Sequence, residues 1–123
     1  MIDWIEHRRG DRELLGWMRA EGEGFVVIDL LGREISGQLD WLDAEELLEE
    51  RGIGYLADRY ELQLDDGHWL LVRIVEASPA RIRVKKEDWG DMTATAVYYE
   101  VAFPMPATLR VHTGDAFEVD PFA

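Results

Sequence analysis

Cysteine and asparagine are both absent from this chain of 123 residues, and serine and lysine occur only twice each. Without cysteine there is no disulfide, thiolate metal site, iron–sulfur cluster or cysteine nucleophile. Without asparagine there is no N-glycosylation site. Of the two serines, Ser36 lacks the Gly-x-Ser-x-Gly elbow of a hydrolase, and Ser78 precedes Pro79 in a turn sequence. Phosphate-cradling Gly-x-x-x-x-Gly-Lys and dinucleotide-binding Gly-x-Gly-x-x-Gly runs are missing as well, so no cofactor is expected. No apolar run approaches the roughly 20 residues that span a bilayer. The opening Met-Ile-Asp-Trp-Ile-Glu-His has neither the basic start nor the apolar stretch of a signal peptide. These absences lead to the expectation of a soluble, cytoplasmic protein without membrane contact.

Acid, in contrast, is abundant. There are 26 acidic and 13 basic side chains, a formal net charge of −13, in a chain that is 47 % hydrophobic. That balance belongs to a globular domain, and the length fits one, 1–123, with a core of its own. The charge is unevenly placed. Residues 1–66 carry 7 bases and 18 acids, residues 67–86 carry 5 bases and 1 acid, and residues 87–123 carry 1 base and 7 acids.

Apolar spacing predicts an α+β fold: a small, mostly antiparallel β-barrel or strongly bent sheet of about seven strands. To this it adds an N-terminal helical segment and one inserted acidic helix. Over 1–21, Asp3 and Glu6 fit a capping box, and Asp11 is placed to cap a second piece whose Leu14, Leu15, Trp17 and Met18 recur at helical spacing. A hairpin follows over 24–41, its first strand apolar except for Asp29. The helix at 43–51 has Asp43 and Glu46 as a capping box, Leu42 and Leu47 as a staple, and Gly52 with Ile53 as its closure. Residues 55–120 read as a strand-rich meander containing an Asp65-Asp66-Gly67 turn and a last strand at Phe117 and Val119.

Function is less legible. Residues 40–50 hold six acids and no base, and Glu45/Glu49 and Glu46/Glu50 are like-charge pairs four apart, an arrangement that costs helix stability. With Trp41 as an aromatic anchor, Asp40, Asp43, Glu45, Glu46, Glu49 and Glu50 form a candidate docking face for a basic protein partner. A non-catalytic inhibitor, immunity-type or adaptor role follows from it. The plainer reading makes the same acids a solvated face and puts Trp41 in the core beside Ile35 and Leu39.

Arg81, Arg83 and Lys85, with Arg73 beside them, form a secondary basic strip. The surrounding acid argues against a nucleic-acid partner there. His68 and His112 match no zinc spacing, so no metal is expected. Asp29 is the one weak catalytic candidate, because a carboxylate in an apolar strand must be either paired or perturbed. It supports an alternative reading, a small carboxylate-dependent enzyme or ligand-binding barrel with an interior pocket lined by Trp69, Tyr98 or Tyr99. A homo-oligomer through Trp69, Leu71 and Val75 is a third arrangement.

Overall fold

The computed structural model describes residues 3–87 and 95–113. Among these residues the chain forms two antiparallel sheets, one α-helix and one 3-10 turn. The first sheet contains β1 (Ile5–Arg8), β2 (Leu14–Glu21) and β3 (Gly24–Ile28), in that order. Helix α1 (Trp41–Arg51) and the 3-10 turn Gly54–Ala57 follow. The second sheet contains β4 (Arg59–Gln63), β5 (Trp69–Ser78), β6 (Arg81–Lys86), β7 (Tyr98–Val101) and β8 (Leu109–Val111), in the order β7-β6-β5-β4-β8. No helix among the described residues is long and apolar enough to cross a membrane.

Two expectations are overturned. The N-terminal segment is a β-hairpin, not a helix. Leu15, Gly16, Trp17 and Met18 are all buried, because β2 is covered on both faces and a short apolar run does not by itself separate strand from helix. Gly16 decides the matter with φ of 152°, which no helix accommodates. Asp11 does not cap a helix either; its carboxylate accepts from Glu13 N at 3.0 Å inside the β1–β2 loop.

The barrel is also not formed among the described residues, where both sheets are open. Closure is unnecessary because other segments cover the apolar faces. Tyr60, Leu62, Val72, Ile82, Val84, Val101 and Leu109 of the second sheet pack with Leu31, Tyr55, Leu56, Phe103 and Met105. Leu15, Met18 and Val27 of the first sheet pack with Ala44 and Leu48 of α1. Trp4, Trp17 and Phe103 meet in a cluster with ring centroids 5.5–6.1 Å apart, tying the first sheet to the segment that leads into β8.

The predicted 24–41 hairpin is reduced. After β3 the chain returns through two isolated bridges, Ile28 to Glu34 and Phe25 to Leu39. The Asp65-Asp66-Gly67 turn joins β4 to β5, with Gly67 at φ 85° and its N–H donating to Leu64 O at 2.8 Å. The strand expected at Phe117 and Val119 lies outside the described residues.

Strand β3 and helix α1 both lie so close to Gly16 that a Cβ there would stand 2.5 Å from Ile28 O of β3 and 2.8 Å from Leu48 Cδ2 of α1. Gly16→Ala is therefore expected to lose about 2–4 kcal/mol in urea unfolding, combining overpacking with an unfavourable φ. Gly37→Ala, where nothing lies within 4 Å, stays within about 0.5 kcal/mol of wild type. Equal midpoints for the two variants would show that the helix yields freely.

Candidate functional site

Helix α1 starts earlier than its sequence implies. Asp40 is the N-cap, its Oδ1 accepting from Asp43 N at 2.8 Å. Asp40 and Asp43 both have capping chemistry, and the earlier start is the one seen with Ala44 and Leu48 buried against the sheet. The Leu42–Leu47 staple is consequently not made: Leu42 lies in the first turn and is 68 % exposed. The other end closes on glycine as expected, although Gly52, with ψ −149°, is outside the left-handed helical region. Gly52, at φ 61°, donates to Leu48 O at 3.0 Å, and Ile53 packs on the cluster containing Leu48.

Burial of Ala44 and Leu48 leaves Leu42, Glu46, Glu49 and Glu50 facing outward. Trp41 is 40 % exposed, with its ring edge-on to Phe25 at 5.1 Å, so it rests against the core without entering it. Asp40 and Asp43 are exposed beside it. The acids themselves are not equivalent. His7 of β1 places Nε2 2.9 Å from Glu49 Oε2 and Nδ1 3.6 Å from Glu45 Oε2, so one imidazole stands between the two members of a like-charge pair. Among the described residues Glu46 and Glu50 have no ion-pair partner. His7 carried no signal in the sequence, because its two partners lie about forty residues away and only the packing of α1 on the first sheet unites them.

Asp29 is fully buried at the end of β3. Its Oδ1 accepts from Leu31 N at 2.9 Å and Arg33 N at 3.0 Å, and its Oδ2 accepts from Arg33 Nε at 2.7 Å. Arg51, the last residue of α1, brings Nη2 to 3.7 Å from the same Oδ2. The rings and cations stack here as well: the Arg33 and Arg51 guanidinium groups lie 5.4 and 4.8 Å from the centroid of Tyr55. Tyr55 accepts from Leu30 N at 2.9 Å, and burial pushes its phenol up to about 12. The carboxylate is thus surrounded by donors that hold the chain, with its oxygens engaged by the backbone and Arg33.

The secondary basic strip is brought together, on the outer face of the second sheet. Arg73 stands opposite Lys85, and Arg83 opposite Glu100. Much of its charge is compensated locally. Arg81 binds Glu76 at 3.3 Å and Glu100 at 2.9 Å, Arg73 lies 3.8 Å from Glu87, and Arg83 stacks over Tyr98 at 4.5 Å. Strand β6 carries this strip between β5 and β7, so it is not an edge.

His112 and Arg110 converge on Glu61, at 2.7 and 2.6 Å, while Arg110 covers Trp69 at 3.6 Å. Burial alone would push the Glu61 carboxyl up, but the hydrogen bonds from His112 and Arg110 outweigh it and hold the group below its ordinary value. His68 donates its backbone N–H to Asp66. No group of three or more His, Asp and Glu placed to hold a metal ion occurs among the described residues.

The cavity residues suggested by the sequence do not share a cavity. Tyr98 lies on the outer face beside Lys85, whereas the adjacent Tyr99 belongs to the inner, core-facing side. A hollow of about 760 Å³ is an open groove lined by residues that include Leu62, Leu64, Asp65, Tyr99, Glu100 and Val101. Trp69 and Leu71 are half-buried and Val75 is 47 % exposed, at an irregularity of β5.

In comparisons with family models, curated proteins and solved structures, the chain matches none.

Two outcomes follow from the Asp29 geometry. Asp29→Asn sets an amide against donors and leaves Arg33 and Arg51 uncompensated, for an expected loss of about 2–4 kcal/mol by urea unfolding; unchanged stability would show the joint to be dispensable. Tyr55, neutral in the fold, contributes stability that is intact below its unfolded value of 10.0 and is lost as pH rises through about 12. A tyrosinate absorbance titration of the folded protein should show a late step near 12 that Tyr55→Phe removes.

Proposed function

We propose that the protein is a non-catalytic acidic binding protein that docks through α1 on a basic partner protein, in an inhibitor, immunity-type or adaptor role. One observation carries this reading. Two large apolar side chains, Trp41 at 40 % and Leu42 at 68 % exposure, are neighbours on the first turn of a helix whose other exposed positions are acidic up to Arg51 at its end. A solvated helix face has no use for an exposed Trp-Leu pair, whereas an interface uses such residues as anchors within a charged surround.

The division of labour is physical. The carboxylates supply long-range attraction that accelerates encounter with a cationic surface, and the apolar pair supplies the short-range burial that slows release. Glu46 and Glu50 carry the most readily available charge, while Asp40 serves the helix as its cap.

The test uses a basic partner recovered by affinity capture and then measured kinetically. Raising ionic strength from about 0.02 to about 0.3 M is expected to slow association about tenfold. Glu46→Lys with Glu50→Lys should slow it at low salt. Leu42→Asp should raise the off-rate about tenfold and leave the on-rate nearly unchanged. An on-rate indifferent to salt and to the double charge reversal would sink the proposal.

A further inference from the structure

Glu45 and Glu49 face one imidazole from two sides. His7 Nε2 is 2.9 Å from Glu49, Nδ1 is 3.6 Å from Glu45, and the ring is only 11 % exposed. A neutral imidazole has one N–H and one bare lone pair, so it can offer a proton to one of these carboxylates while presenting a lone pair to the other. A protonated ring offers an N–H to both. Protonated, the ring hydrogen-bonds Glu49 through Nε2 and forms an ion pair with Glu45 across 3.6 Å.

The charged neighbours do not compete for this role. Strand β2 places Gly16, without a side chain, opposite His7. From α1 come Glu45 and Glu49 alone. Arg9, beyond the end of β1, directs Nη2 to the backbone carbonyl of Glu49 at 3.5 Å and Nε to Glu13 at 3.7 Å, away from both carboxylates. Among the described residues, His7 is the cation positioned to act on the pair.

We propose that His7 is a proton-operated regulator of the α1 docking face: when protonated it engages Glu45 and Glu49, and binding of a basic partner through that face weakens. The inference rests on the docking role proposed for α1. Uptake of one proton by His7 changes the charge of His7 with the four helix glutamates from −4 to −3. It also fixes two of the four carboxylates against β1. Glu46 and Glu50 remain outside its reach, so the effect is a graded weakening and not an on/off switch.

The experiment measures binding of a ten-residue oligo-arginine peptide, whose charge is constant between pH 8 and 5.5, the interval in which histidines titrate. Wild type is expected to bind about fivefold more weakly at pH 5.5 than at pH 8 relative to His7→Gln, which lacks the proton site. His7→Lys, with a fixed charge, should bind weakly at both pH values. It also carries the test if circular dichroism shows His7→Gln to be unfolded. His68→Gln, altered at an exposed ring remote from α1, should keep the wild-type response. An equal fall in wild type and in both His7 variants would overturn the regulation and leave docking intact. Binding at pH 8 that Glu46→Lys with Glu50→Lys does not reduce would overturn the docking reading and the regulation with it.

Discussion

Removing a carboxylate from water costs several kcal/mol unless charge and hydrogen bonds replace the lost solvent. Asp29 meets that cost with hydrogen bonds from Leu31 N and Arg33 in the turn after β3 and an ion pair with Arg51 at the end of α1. The same turn then binds outward in two directions. Leu30 N donates to Tyr55 of the 3-10 turn, and Leu31 O accepts from Met105 N of the segment preceding β8. First sheet, helix, 3-10 turn and second sheet all take their positions from one buried anion and the five-residue turn it holds.

This joint also explains how charge is arranged on the surface. Arg51, the one cation of the helix's last turn, is committed inward to Asp29 and Tyr55, so it does not neutralise the acids beside it. Among the described residues, Glu46 and Glu50 are left without an ion-pair partner. On the second sheet the opposite solution prevails. Arg81 with Glu76 and Glu100, and Arg110 with Glu61, form local lattices in which cations and carboxylates alternate across strands. In a chain with twice as many acids as bases, the cation nearest these helix acids is engaged by Asp29 and Tyr55.

What the sequence made legible was local. Gly52 and Ile53 predicted the closure of α1, and Asp65-Asp66-Gly67 predicted a turn, because such signals operate over a few residues. Asp29 stood out in its strand for the right reason, although its partners came from a turn and a helix end that no spacing rule connects. Errors arose where tertiary contacts outweighed local pattern. Leu14, Leu15, Trp17 and Met18 resemble a helical stripe, yet they line both faces of β2 because α1 and the Trp4–Phe103 cluster supply a second covering. The inner strands resembled a barrel because nothing in their alternation shows that Leu31, Tyr55 and Phe103 cover the apolar face. For the candidate site, the acids and Trp41 were visible, but the exposure of Leu42 and the reach of His7 depended on where α1 begins and what it lies against.

Strand β1 contributes no side chain to either buried core. It is held at its front by Trp4 stacking on Trp17 and Phe103, along its length by the ladder to β2, and at its back by His7 and Arg9 reaching α1. Two of these fastenings are ring contacts and the backbone ladder, while the third is polar and runs through side chains to α1. The N-terminal strand is therefore an edge fastened by ring stacking at one end and by polar side chains reaching the helix at the other.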